Sequence, residues 1–427
     1  MYYQKLLNRK VGMIFSLIIV LCLAPNAFAF TDPPYIPVQK PKPTATKTVC
    51  ASGCDYATLD GADAAAQPGW LIRVKAGNYS GNMSWDSSGT AGNEIVIEAF
   101  GDGNAILDVG TGNLEIRGHY LIFDGGPSRE LFFDGTSGDA NAYDSVIYGD
   151  RSNTNNHHNT FSRLVVRNST AGITSNTGTN ISASGDYWKI YNCDIYGAAD
   201  EGIYFNDCRN CEATGNIIHN NCGTGVQVNP HPYVGDEITI SGNAIYNNGA
   251  CKADATQIRP GISILSNSDT LYDIYVYNNI IWGNKEAGIK VSTYSNINAR
   301  IYNNTVFNNV DKGLWLKSGP TYDIKNNIVY SNGVTNWTGP SGSNNLISNP
   351  SFASTSINDS NYLKLSPNST NAIDKGLPIT SINITDDYFG SPRILNSGFD
   401  IGAQEYPSGT FDSLSPDVPA GLRIVQH

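Results

Sequence analysis

Between residues 186 and 332 no run has the length or the 3.6-residue apolar period of a helix. That absence excludes helical bundles and alternating α/β folds for this stretch. Positive charge is also scarce. The 427 residues carry 27 Lys and Arg against 38 Asp and Glu, a formal net charge of −11, with no basic run. Such a balance argues against nucleic acid as a partner. A local basic cluster remains compatible with an acidic glycan. After the N-terminal stretch no segment is apolar enough to span a membrane.

That N-terminal stretch reads as a secretory signal over residues 1–29. Lys5, Arg9 and Lys10 precede an apolar run from Val11 to Leu23, and Ala27-Phe28-Ala29 offers a small–x–small cleavage site. A lipoprotein signal would want a small residue before Cys22, where Leu21 stands. The chain is therefore expected to be secreted or periplasmic. Residues 30–47 are rich in Pro, Lys and Thr and read as an extended linker.

What the chain has is a repeat. The phrase apolar–x–Asn–Asn–x–apolar–x–x–Asn, followed by Gly–apolar–x–apolar, recurs through residues 240–248, 276–284, 301–309 and 324–332. Cys193, Asn216, Asn243, Asn279, Asn304 and Asn327 are equivalent positions, with steps of 23, 27, 36, 25 and 23 residues. Each step holds two or three short alternating runs separated by Asn and Gly, which read as strands and corners. The predicted fold is all-β, a single-stranded right-handed parallel β-helix with like residues stacked about 4.8 Å apart. The asparagines are expected to satisfy buried corner backbone in ladders and not to bind ligands. The 36-residue step implies an insertion over 249–257, on one face of the solenoid.

The solenoid domain is read as residues 48–406. Ala57 to Ala66 is expected to form a short helix capping its N-terminal end. The first strand is placed at Leu71 to Val74. Residues 126–160 are expected to hold a long loop and 351–406 to close the far end, with a disordered tail over 407–427. Seven cysteines follow the signal. Export favours disulfides. Cys222 with Cys251, on adjacent rungs, and Cys50 with Cys54, in the cap, are the expected pairs. Cys208 and Cys211 have a redox or zinc spacing without the context for either.

Five strands follow a glycine: Ile203-Tyr204-Phe205, Val226-Gln227-Val228, Ile262-Ser263-Ile264, Ile289-Lys290-Val291 and Leu314-Trp315-Leu316. Their apolar flanks point inward and the middle residues outward. Tyr204, Gln227, Ser263, Lys290 and Trp315 should form one exterior column, a mixture suited to sugar binding.

These repeats resemble the parallel β-helix repeat of the pectate-lyase-like superfamily. The segment from Ala57-Thr58-Leu59 to Gly77-Asn78-Tyr79 resembles the cap of secreted members. Ser366-Pro367, Ala372-Ile373-Asp374, Gly390-Ser391-Pro392-Arg393 and Asp400-Ile401-Gly402-Ala403 resemble their closing segment. The superfamily includes polysaccharide lyases, glycoside hydrolases, uronate epimerases and surface-binding proteins, so the resemblance speaks to fold more than to reaction.

Within it, Gly288-Ile289-Lys290-Val291 resembles the strand carrying the Brønsted base of one calcium-dependent pectate lyase family. Lys290 is the expected base, and Arg259, one rung earlier, its charge-neutralising partner. Tyr204, Gln227, His231 and Trp315 are expected subsite walls. The resemblance breaks at the metal site: the matching places hold Thr224, Arg259, Pro260 and Ser263. Asp200 and Glu201, with Asp254 in the insertion and Asp207 nearby, are the carboxylates left to hold a calcium ion, or to drive hydrolysis. Asn229-Pro230-His231 is similar to an epimerase motif, with Asn in place of Asp. His157-His158 has no convincing metal partners. The reading is a monomeric lyase acting on a uronate-containing glycan. The alternatives are a non-catalytic glycan-binding protein, and a hydrolase or epimerase.

Overall fold

The computed structural model describes residues 30–407, apart from 82, 111, 136–144, 150–155, 170–177, 207, 230–235, 251–257, 266–271, 293–296 and 396. The chain coils into three parallel sheets. The first has 11 strands, from Ala45–Val49 to Thr321–Lys325. The second has 10, from Gly77–Ser80 to Ile328–Tyr330, and the third 10, from Met83–Trp85 to Thr335–Thr338. From Trp70–Val74 onward, consecutive strands of the chain enter different sheets, and each pairs with its equivalent one turn away. This is the right-handed parallel β-helix expected from the repeat.

The inward residues make one continuous core. Ile203, Val226, Ile262, Ile289 and Leu314 succeed one another in register on the third sheet, and all are fully buried. Each contributes about 1.5–3 kcal/mol of apolar burial. Near the N-terminal end the stack turns aromatic, with the Phe123 and Phe161 rings 5.4 Å apart and Trp188 tilted on Phe161 at 4.9 Å.

Corners are where a solenoid leaves backbone groups unpaired, and here two asparagine ladders fill them. In the first, the Oδ1 of Asn216, Asn243, Asn279, Asn304 and Asn327 each accepts from the backbone N–H of the equivalent residue one rung earlier. Each Nδ2 donates to a core-strand carbonyl and to the next asparagine. The second ladder runs through Asn221, Asn248, Asn284, Asn309, Asn332 and Asn336 in the same pattern. Both are almost wholly buried. The repeat's spacing of five residues between Asn243 and Asn248, or Asn279 and Asn284, sets the two corners on either side of one three-residue strand.

The residue before each ladder asparagine except Asn336 has positive φ. Asn278, Asn303 and Asn326 lie at 55°, 50° and 58°, and Gly242 and Gly283 at 62° and 65°. Asn and Gly are the residues that accept this left-handed conformation most readily. The Asn-Asn pair is thus two devices, one for bending the chain and one for satisfying it.

The bending asparagines point outward and hold the segments that are not solenoid. Asn192 donates to Pro34 O at 2.8 Å and accepts from Ile36 N–H at 2.7 Å. Asn278 Nδ2 donates to Asp386 O, Asn303 Nδ2 to Asp400 O, and Asn326 Nδ2 to Leu377 O. The segment expected as a linker is extended and lies along the solenoid flank. Phe30 packs on Trp282, with ring centroids 5.1 Å apart, and Lys40 pairs with Glu98 and Asp124 at 2.7 and 2.6 Å. Strand pairing also begins earlier than expected, with Ala45–Val49 against Trp70–Val74. Residues 351–406 cover the outer face of the second sheet, where Tyr362, Leu363, Tyr388 and Ala403 join Tyr246, Trp282 and Phe307 in an apolar cluster.

The capping helix is Leu59–Asp63, begun by the Thr58 side chain accepting from Gly61 N–H. Cys50–Cys54 is a disulfide as expected, and Cys208–Cys211 is a second. Cys222 carries a free thiol, so its expected bridge is not seen, and its partner Cys251 lies outside the described residues. Cys193 takes a ladder place and is fully buried, which pushes its thiol up to about 12. Among the described residues no helix is long and apolar enough to cross a membrane.

Asn279→Ala would strand the Asn243 N–H and the Ile240 carbonyl in the core. At about 1–3 kcal/mol for each unsatisfied group, the loss should reach about 3 kcal/mol. Asn308→Gly, at an exposed position with φ of 52°, should change stability by less than about 1 kcal/mol. Urea unfolding of the two variants beside the parent checks the contrast.

Candidate functional site

The expected exterior column forms on the third sheet. Tyr204 pairs with Gln227, Gln227 with Ser263, Ser263 with Lys290, and Lys290 with Trp315. Ser182 continues it before Tyr204 and Thr338 after Trp315. A second column runs beside it at the corner that feeds these strands. Arg259, Glu286 and Asp311 follow one another there, with Glu286 N–H donating to Arg259 O and Asp311 N–H to Glu286 O. Each stands two residues before the glycine that opens its strand, as Asp200 does on its own rung.

The two columns interlock by charge. Lys290 Nζ donates to Glu286 Oε1 at 2.5 Å and lies 4.3 Å from the centre of the Trp315 ring. Lys312 pairs with Asp311 and lies over the same ring at 4.4 Å. Glu286 is buried, and its second oxygen, Oε2, meets no hydrogen-bond partner. Trp315 is therefore a platform for two ammonium groups as well as a wall.

Two rungs from Lys290, Gln227 Nε2 donates at 2.9 Å to Glu201 Oε1, whose own rung is the third, about 14 Å away at strand spacing. Thr179 Oγ1 donates to Glu201 Oε2 at 2.8 Å. Burial pushes the carboxyls of Glu201 and Asp200 up, and for Asp200 the Glu201 charge adds to that push. The Arg259 guanidinium acts against it on both. Tyr204 accepts from Asn229 Nδ2 at 3.0 Å.

Sequence reasoning brought Tyr204, Gln227, Lys290 and Trp315 into one wall, with Arg259 and the Asp200–Glu201 pair at its edge. It did not bring the acidic pair within reach of Lys290. His231, Asp254 and Asp207 lie outside the described residues. Glu286, Asp311 and Lys312 were missed. Their signal was present, since a charged residue recurs two places before the strand glycine in Asp200, Arg259, Glu286 and Asp311.

A calcium ion takes six to eight oxygen ligands. Asp200 and Glu201 offer two carboxylates whose burial favours a shared proton, with a guanidinium opposite. Among the described residues no three His, Cys, Asp or Glu side chains converge as a metal site. These donors do not fit calcium on their own.

A carboxyl raised in the folded state binds its proton more tightly there than in the unfolded chain. Its folded form is then penalised as pH rises above about 4 towards neutrality. Asp200→Asn removes this penalty. Thermal midpoints across pH 5–8 should fall less steeply for the variant than for the parent, with the two curves converging at the acid end.

The sequence matches the family model described as right handed beta helix region over residues 177–370. Three solved structures are similar to this chain. A pectate lyase, Pel9A, is 19% identical, with 86% of this chain and 97% of that chain covered and a TM-score of 0.63. A rhamnogalacturonan lyase is 12% identical, with 76% and 97% covered and a TM-score of 0.47. An alginate lyase from Paenibacillus sp. str. FPU-7 is 15% identical, with 65% and 98% covered and a TM-score of 0.43. Comparison with curated proteins finds no match. Repeat, sheet topology and superposition agree that the chain carries a right-handed parallel β-helix fold.

Proposed function

We propose that this is a secreted, monomeric polysaccharide lyase that cleaves a uronate-containing glycan by β-elimination on the outer wall of the third sheet. The observation that carries the reading is the place of Lys290. It sits in the exterior column between Ser263 and Trp315, with Arg259 in the neighbouring column one rung before. β-Elimination needs a base for the proton beside the uronate carboxylate and a cation for the charge that develops. Lys290 takes the first role and Arg259 the second.

A lysine must be neutral to act as a base. Glu286 Oε1, at 2.5 Å, holds the Lys290 amine in the wall, and the proton that Lys290 sheds goes to solvent. Tyr204, Gln227 and Trp315 then border the glycan, as would His231. The similarity to the pectate lyase Pel9A supports the substrate class through shared fold alone. The two disulfides fit an oxidising compartment.

A second reading is favoured by one observation. Both ammonium groups of the wall already have carboxylate partners and rest on Trp315. A wall compensated in this way would also suit a protein that binds the glycan without cutting it.

A screen of pectate, alginate and glycosaminoglycans, with and without chelator, separates the readings. A lyase releases unsaturated uronate ends that absorb in the ultraviolet. Lys290→Ala should then lower the rate by about 10²–10⁴-fold. Lysis that survives Lys290→Ala unchanged removes Lys290 as the base. Retarded migration in a glycan gel without absorbing products selects the binding reading.

A further inference from the structure

A different face of the solenoid carries a second cleft. On the first sheet, Ile122, Thr160 and Lys189 face outward on successive rungs. Two residues before each stands a corner residue with positive φ: Tyr120 at 53°, His158 at 54° and Tyr187 at 58°. The next rung has Asn210 there, at 53°. Elsewhere this conformation falls mostly to Asn or Gly, because other side chains adopt it at a cost of about 1–2 kcal/mol. Three rings in succession are therefore kept against backbone preference. Strain of this kind clusters at sites that clamp ligands.

The three rings pile on one another, with centroids of Tyr120 and His158 4.7 Å apart and those of His158 and Tyr187 4.3 Å apart. Tyr187 ends the pile and is 41% exposed. Burial pushes the His158 imidazole down, which keeps it a neutral hydrogen-bonding group.

The N-terminal strap forms the opposite side. It is pinned to Asn192 at Ile36 and to Glu98 and Asp124 at Lys40. Between those anchors residues 36–39 line one side of an open cavity of about 390 Å³. That is within the usual range for small-ligand sites, about 300–1,000 Å³. Its walls combine apolar strap residues and ring edges with the polar groups of Thr160, Glu94 and Lys189. The Lys189 side chain is 42% exposed, and its carboxylate neighbour Glu212 stands 3.8 Å away. Glu212 also accepts a hydrogen bond from the Tyr191 hydroxyl. An exposed pair this long contributes little, so an incoming carboxylate can compete for Lys189.

We propose that this cleft is a second glycan-binding site, apart from the wall of the third sheet, holding a uronate-bearing segment. The sugar's apolar face lies against the strap and the tyrosine edges, its hydroxyls meet Thr160, Glu94 and His158, and its carboxylate meets Lys189. The ligand class follows from Lys189 and the ring pile, and does not depend on lyase chemistry elsewhere.

Affinity electrophoresis of the full chain through polygalacturonate, alginate and neutral hydroxyethyl cellulose tests it. The background is Lys290→Ala with Trp315→Ala, which disables the other wall. Retardation by at least one acidic polymer should persist there. Adding Tyr187→Asn and Lys189→Ala should weaken it by about tenfold or more. Asn suits the backbone at 187, so this change spares the corner. If melting shows that the combined variant is unfolded, Lys189→Ala alone decides. The proposal falls if neither acidic polymer retards the background protein, if the cleft substitutions leave migration unchanged, or if the neutral polymer retards it equally. Release of unsaturated products by the parent protein is read separately, so loss of the lyase reading leaves this result standing.

Discussion

Everything in this molecule depends on amide groups stacked along two buried edges. A coiled sheet pairs its strands readily, but every turn of chain must bend three times, and a bend inside a core leaves donors and acceptors bare. Asn216 through Asn327 and Asn221 through Asn332 close that deficit with one residue type. Because each amide bonds both its own rung and the next, the ladders also lock register. A slip by one residue would break every link at once, on top of turning the core residues outward. Satisfied networks of this kind hold a unique arrangement, and partly satisfied ones do not.

The register so fixed is what makes a surface possible. Lys290 and Trp315 are 25 residues apart in sequence and direct neighbours in space. The outward asparagines then decide which faces stay open. Asn192 holds the N-terminal strap, and Asn278, Asn303 and Asn326 hold the C-terminal segment. Those segments cover parts of the first and second sheets. The third sheet keeps its polar exterior column, and that is where the charges of Arg259, Glu286, Lys290, Asp311 and Lys312 collect.

The regular half of this was legible from the sequence. Alternation within three-residue strands, and a glycine before each, place Tyr204, Gln227, Ser263, Lys290 and Trp315 on one wall without coordinates. The Asn-Asn pairs announce the corners. What could not be read is what lies outside the repeat. The strap over residues 30–44 has the composition of a linker, and nothing local says that Phe30 will settle beside Trp282. Its contacts are long-range, and composition reports only local preference. The partnership of Glu286 with Lys290 was hidden for a related reason. On a strand, residues four apart do not normally meet; Glu286 stands at the corner just before the strand Ala287–Val291, and from there its carboxylate reaches the Lys290 ammonium.

The strap and the far cap meet across nearly the whole polypeptide. The Tyr388 hydroxyl donates to Thr31 O at 3.3 Å, over a separation of 357 residues. A contact so distant in sequence is costly to close and comes late in assembly. During synthesis from the N-terminus, the strap emerges long before its docking place exists. Until the final turns are laid down, Phe30 has no aromatic pocket to enter, and the tether stays loose. Completion of the coil is thus reported at its very beginning, by the moment when the first residues find somewhere to rest.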